Sequence, residues 1–191
     1  MIRFVVVLLA VLAALPAVAH TGGEIGAGLA SGLAHPFSGL DHLLAMIAVG
    51  LWAGQTGGRA VWLLPIAFPA AMALGAVAGA SGTELPAVEI GLALSVLTLG
   101  TLVAFAARLP ALGGAALAAS FAVLHGHAHG AEVPMAADPL AYGAAFILAT
   151  VLLHLIGIGL GLALRLPLAA RLVRVGGAAI AVAGVGLTSV L

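Results

Sequence analysis

The chain has 191 residues, of which 64% are hydrophobic and 6% charged, and its mean hydropathy is +1.31, a balance that the water-facing surface of a soluble domain does not supply. Formal net charge is zero and all six basic residues are Arg, so no basic patch exists to neutralise phosphates and nucleic acid is excluded as a partner. The absence of Cys rules out disulfides, thiolate metal sites and cysteine nucleophiles together, leaving seven His and six carboxylates as the chemical inventory.

In chain order, the first residues read as a secretory signal over 1–19. Arg3 forms the positive n-region, Phe4 to Leu15 the apolar core and "AVA" at Ala17 to Ala19 the small-residue cleavage site. That apolar core is about a dozen residues, against the roughly 20 needed to cross a bilayer. The mature chain then begins at His20 and forms one domain over 20–191. After a Gly-rich stretch come apolar runs near 38–56, 60–80, 86–107, 111–128, 139–164 and 168–190, which predict an all-α polytopic bundle of six transmembrane helices. Pro86, Pro110, Pro139 and Pro167 sit where spans begin, where a missing N–H costs nothing, and Asp138 is a natural N-cap. Pro65 and Pro69 should kink the second span and free backbone carbonyls. Gly75 with Gly79, and Gly157 with Gly161, have the small-xxx-small spacing that lets helix backbones approach.

Basic residues stay on the cytoplasmic side of short loops. With the mature N-terminus outside, in the periplasm of a bacterial inner-membrane protein, Arg59, Arg108, Arg165, Arg171 and Arg174 all fall inside. Glu24, Glu84, Glu132 and Asp138 fall outside, and so do two histidine clusters.

Three elements carry chemistry: "HPFSGLDH" from His35 to His42, "HGHAHGAE" from His125 to Glu132, and His154 in "LLHLIG". In the first, Pro36 and Gly39 interrupt the helix, so His35 folds over the turn that presents Asp41 and His42, and Met46 shares the face of His42 at i,i+4. In the second, His125 and His129 are i,i+4 if the helix persists, with Glu132 following. Paired His at that spacing with a nearby carboxylate is how a helix holds a divalent metal. The same residues as mere helix caps is the weaker reading, because ionisable groups in spans are expensive and usually mark a functional path. That bland reading does suit Glu24, Glu84 and Asp138, and Glu89 near Pro86 has a dipole reason of its own to be there. His154, roughly 22 Å into its span, is either an inner relay ligand or a helix-to-helix hydrogen bond. His20 would carry a free α-amine beside its imidazole, a chelating pair, or is simply the residue after a cleavage site. His20, Met46, Glu89, His127 and His154 are therefore secondary metal candidates.

"HPFSGLDHLLAMIAVGLWA" resembles the N-terminal signature of the HupE/UreJ family of nickel and cobalt permeases, and "HGHAHGAE" resembles its second His motif, with the likeness extending over essentially the whole chain. The resemblance implies His35, Asp41, His42, His125, His129 and Glu132 as functional positions, with His127 at a variable place in the motif. It also implies a secondary transporter, not an enzyme, that takes up Ni²⁺ or Co²⁺ for nickel enzymes such as hydrogenase or urease. No prosthetic group is expected. Nitrogen and oxygen ligands suit several first-row metals, so the choice of cargo comes from the resemblance.

Two rival classes stand beside it. "GASG" at Gly79 to Gly82 and "HLIGIGLG" from His154 resemble the serine and histidine motifs of rhomboid intramembrane proteases, with Ser81 as nucleophile and His154 as base. Against this, Ser81 falls at the outer end of its span, His154 is too deep to reach it, and two spans separate them. A non-transporting membrane metal-binding accessory protein would carry the same outer site. The difference is whether His154, Ser95, Thr98, Thr101 and Thr150 extend a path inward or only serve packing.

Overall fold

The computed structural model describes residues 23–133, 137–163 and 167–189, so the predicted signal, His20 and Arg165 lie outside the described residues. Among these residues the fold is all-helical: α1 (Gly23–Ala34), a 3-10 turn (His35–Phe37), α2 (Leu40–Thr56), α3 (Ala60–Ala80), α4 (Val88–Ala104), α5 (Ala111–Ala131), α6 (Pro139–Ala163) and α7 (Pro167–Thr188). A helix occupies each of the six predicted apolar runs. Four of them, α3, α5, α6 and α7, are long and apolar enough to cross a membrane, and a fifth span arises if Gly28–Phe37 and Leu40–Thr56 are taken together across their 78° bend. α4 has 17 residues, about 26 Å, just short of the roughly 30 Å hydrocarbon core.

Helix ends follow local chemistry. Asp138 caps α6, its Oδ1 accepting the Ala141 N–H at 2.7 Å. Gly57 (φ 74°) ends α2 in a conformation that L side chains rarely adopt. α4 departs from expectation at both ends. Pro86 lies before the helix, because Ala87 (φ 56°) turns left-handed and delays the start to Val88. Ala106 (φ 49°) turns the chain out at the other end, where the Ala107 N–H bonds back to the Leu102 carbonyl at 2.9 Å.

α1 is the element that composition hid. Its Gly content disfavours a helix in isolation, yet Gly28 and Gly32 let it lie on α6 so closely that a Cβ at Gly32 would overlap the Tyr142 carbonyl. Tertiary packing decides the conformation here. The small-residue spacings do what was expected of them. Gly75 and Gly79 of α3 meet the Val123 and His127 carbonyls of α5, and Gly157 and Gly161 of α6 meet the backbone of α2 around Gly50 and Gly54.

Antiparallel connection places the helix ends on two sides. At the arginine end, Trp52 Nε1 donates to the Ala107 carbonyl at 2.8 Å, Gln55 Nε2 to Val103 at 3.1 Å and Arg174 Nε to Ala104 at 2.8 Å, locking α2, α4 and α7 together. Trp52, Leu64, Phe68, Met72 and Leu99 fill the buried core between the helices. At the opposite end the α1–α2 corner, the start of α4, the end of α5 and the start of α6 surround the histidines.

Candidate metal centre

The corner between α1 and α2 builds half of the site. Pro36 lies within the 3-10 turn, and the Ser38 N–H and hydroxyl both donate to the His35 carbonyl, at 2.9 and 2.6 Å. Gly39 follows in extended conformation (φ −110°, ψ 123°) as the N-cap of α2. Asp41 Oδ1 then accepts the backbone N–H of His42 at 2.9 Å and lies 2.8 Å from its Nδ1. A carboxylate only accepts, so the Nδ1 proton faces Asp41, and Nε2 is the nitrogen through which this ring can bind a metal. That Nε2 is buried and without a partner. Gly39 matters here through space and not through its φ: a Cβ there would stand 2.6 Å from Asp41 Oδ1 and 2.9 Å from His42 Nδ1, so these side chains would have to shift.

The last turns of α5 build the other half, because the helix runs unbroken to Ala131. Gly126 and Gly130 are where α5 touches α3, each so close that a Cβ would overlap the Met72 or Ala76 carbonyl. His125 and His129 fall on a face directed at α2. His125 rests edge-on against His42 at 4.8 Å between ring centres, and His129 lies 4.1 Å from His42, 4.7 Å from His35 and 3.9 Å from Phe146. Ser95 of α4 orients His125. Its hydroxyl donates to the Leu92 carbonyl at 2.7 Å and lies 2.8 Å from His125 Nε2. A hydroxyl has one proton, so Ser95 accepts from Nε2–H and leaves the His125 lone pair on Nδ1. Nδ1 of His125 and both ring nitrogens of His129 are buried without partners.

At the mouth, Glu132 Oε2 is 3.4 Å from His35 Nε2, and one ligand atom from each of His35, His129 and Glu132 lies within 4.8 Å of the others. A cavity of about 270 Å³ opens here, lined by His35, Asp41, His42, Glu89 and Glu132 among others. Three carboxylates thus surround an entrance at His35 and His42, whose rings abut those of His125 and His129.

The structure separates the remaining candidates. Glu89 stands at the entrance. Met46, one turn below His42, and His154, with neither ring nitrogen bonded, are fully buried further in. His127 points to the opposite side of α5, where its Nε2 meets the Thr83 carbonyl at 2.6 Å; two residues along a helix turn about 200°, so it cannot share the face of its neighbours. Ser81 is exposed at the end of α3, donating to Ala78 O at 2.7 Å with Thr83 Oγ1 at 3.0 Å, and makes no bond to the buried His154, so the serine–histidine pair of a protease is not assembled. Gly39 as a spacer and Ser95 as the partner of His125 went unread in the sequence, where Ser95 stood only among possible path hydroxyls.

The HupE / UreJ protein family profile matches residues 7–187. The chain belongs to the HupE/UreJ family. Protein HupE of Rhizobium leguminosarum bv. viciae is 49% identical over 176 residues, covering 91% of this chain and 92% of that protein. No solved structure matches. Membership of the HupE/UreJ family and the apolar helices together support a multi-pass membrane protein with a transport or accessory role in nickel or cobalt uptake. Both motifs that carry the family likeness, "HPFSGLDH" and "HGHAHGAE", contribute to one cluster.

Proposed function

We propose that this protein is a secondary transporter that admits Ni²⁺ or Co²⁺ to the cytoplasm through the cluster of His35, Asp41, His42, His125, His129 and Glu132. The observation that carries the reading is the set of buried imidazole nitrogens without partners, on His42, His125 and His129. An unsatisfied buried polar group costs about 1–3 kcal/mol, and several on adjoining rings are explained by a ligand they share. Asp41 and Ser95 supply the outer support that metal-binding histidines need, each taking one ring N–H and leaving the other nitrogen as donor.

An entering ion sheds water and gains imidazole nitrogens, while Asp41, Glu89 and Glu132 offset its charge. The driving force does not come from nucleotide hydrolysis by this chain, since without Lys it has no GxxxxGK[ST] loop. A dication moving inward gains about 4.6 kcal/mol at 100 mV, negative inside. This reading includes a cleaved signal over 1–19, six crossings in the bacterial inner membrane, a periplasmic mature N-terminus and arginines facing the cytoplasm, as their asymmetry requires.

The test is radiolabelled nickel uptake by cells lacking other nickel carriers, with membrane abundance measured in parallel. Uptake that depends on this protein and on Asp41 is expected. Nickel binding by the purified protein with no uptake at any concentration would instead establish a non-transporting accessory protein.

A further inference from the structure

Below the histidine cluster, the packed core contains thioether and imidazole donors that the outer site does not use. Met46 lies one turn beneath His42 on α2, and Met72 lies on α3. Their sulfurs converge on Thr150 of α6, whose Oγ1 is 3.5 Å from Met46 Sδ and 3.9 Å from Met72 Sδ. The hydroxyl has one proton, and the Phe146 carbonyl at 3.0 Å is the stronger acceptor for it, so both thioethers keep their lone pairs. One turn further along the same face of α6, about 6 Å deeper, His154 is fully buried with neither ring nitrogen bonded. Beside the ring is the Pro65 carbonyl of α3, a backbone acceptor available to one ring N–H, which leaves the other nitrogen free. That carbonyl has no helical partner because residue 69, four positions on, is a proline without an N–H.

The two levels adjoin. The Phe68 ring is 5.8 Å from that of His125 and 5.2 Å from that of His154, edge-on to the latter, so a single aromatic side chain stands between the outer cluster and the deeper imidazole. Thioether and imidazole together suit borderline and soft cations, whereas Mg²⁺ and Ca²⁺ demand oxygen. We propose that Met46, Met72 and His154 form a second, sulfur-containing transit station for the dehydrated dication, beneath the outer cluster and on the far side of Phe68 for its His154 arm. This rests on the outer-site reading and deepens it. The outer cluster captures and dehydrates, and the inner station rejects hard cations that carboxylates alone would pass.

Sulfur makes the station visible, because the chain has no Cys and four Met; any sulfur around bound nickel is a thioether. The experiment is nickel K-edge X-ray absorption on the purified full-length protein loaded with two equivalents of Ni²⁺ in sulfur-free buffer, beside radiolabelled nickel uptake. Three variants accompany the wild type. Met46→Leu/Met72→Leu conserves core volume, His154→Gln keeps a polar side chain, and Asp41→Asn reports on the outer site. We expect a sulfur contribution in the wild type that the double Leu variant loses. We also expect maximal uptake lowered at least about tenfold in the double Leu and His154→Gln variants, with half-saturating nickel changed less than about twofold. A shell of nitrogen and oxygen only, with wild-type uptake by either inner variant at wild-type abundance, overturns the station while loss of uptake in Asp41→Asn preserves the outer site. Wild-type uptake by Asp41→Asn removes the outer site and the station with it.

Discussion

The two faces of α5 differ in what their histidines find. His127, between two others in "HGHAHGAE", meets the Thr83 carbonyl of the α3–α4 loop, a hydrogen bond that pins a loop. His125 and His129 turn the other way and meet the rings of His42, His35, Phe68 and Phe146, the Ser95 hydroxyl and, beside His129, the Glu132 carboxylate. Identical side chains two residues apart therefore play opposite parts: one is satisfied by the fold, and the others are left with nitrogens that the fold does not satisfy. The lesson is that histidine content marks neither role. What separates them is the helical period and whether a backbone carbonyl waits on that side.

The largest effects are expected where this contrast is broken from the unsatisfied side. His129→Ala and Asp41→Asn should each reduce nickel affinity about 10–100-fold, one by removing a ligand and the other by removing the negative charge beside His42; uptake measured at low external nickel reads both. Gly39→Ala comes next. Its methyl group would press on the Asp41–His42 pair, so we expect roughly a tenfold loss of apparent affinity with membrane abundance retained, and the same assay decides it. Ser95→Ala should cost less than Asp41→Asn, about three- to tenfold, because it frees the His125 ring to change tautomer without removing charge. Nitrogen-15 NMR of the histidine side chains would show that change directly.

Smallest are the effects on the satisfied side. His127→Ala removes a hydrogen bond worth about 0.5–1.5 kcal/mol, so thermal stability in detergent should fall slightly while half-saturating nickel stays within about twofold of wild type. Ser81→Ala, which leaves only a turn hydroxyl out of the Ala78 and Thr83 contacts, should leave uptake unchanged.

Much of this was legible in the sequence for a physical reason. In an apolar chain the few polar residues stand out, and hydrophobic runs broken by Pro and Gly delimit helices, so all six runs coincide with helices and both His motifs fall at one end of the bundle. The i,i+4 relation of His125 and His129 needed only a helix reaching Ala131, which it does. Other features depended on neighbours distant in sequence. α1 is a helix because α6 accepts its glycines at contact distance, which no local propensity conveys. Ser95 meets His125 across 30 residues, and Phe68 reaches both His125 and His154 from a third helix. Gly39 read as a helix interrupter, whereas its missing Cβ makes room for the Asp41–His42 pair.

Equilibrium nickel binding to the purified protein tests the central claim most directly, comparing wild type, His127→Ala and His129→Ala side by side. If the cluster facing α2 is the metal centre, His129→Ala weakens binding about 10–100-fold and His127→Ala leaves it within about twofold of wild type. Equal losses in the two variants would contradict the account, because the metal would then have to engage both faces of α5.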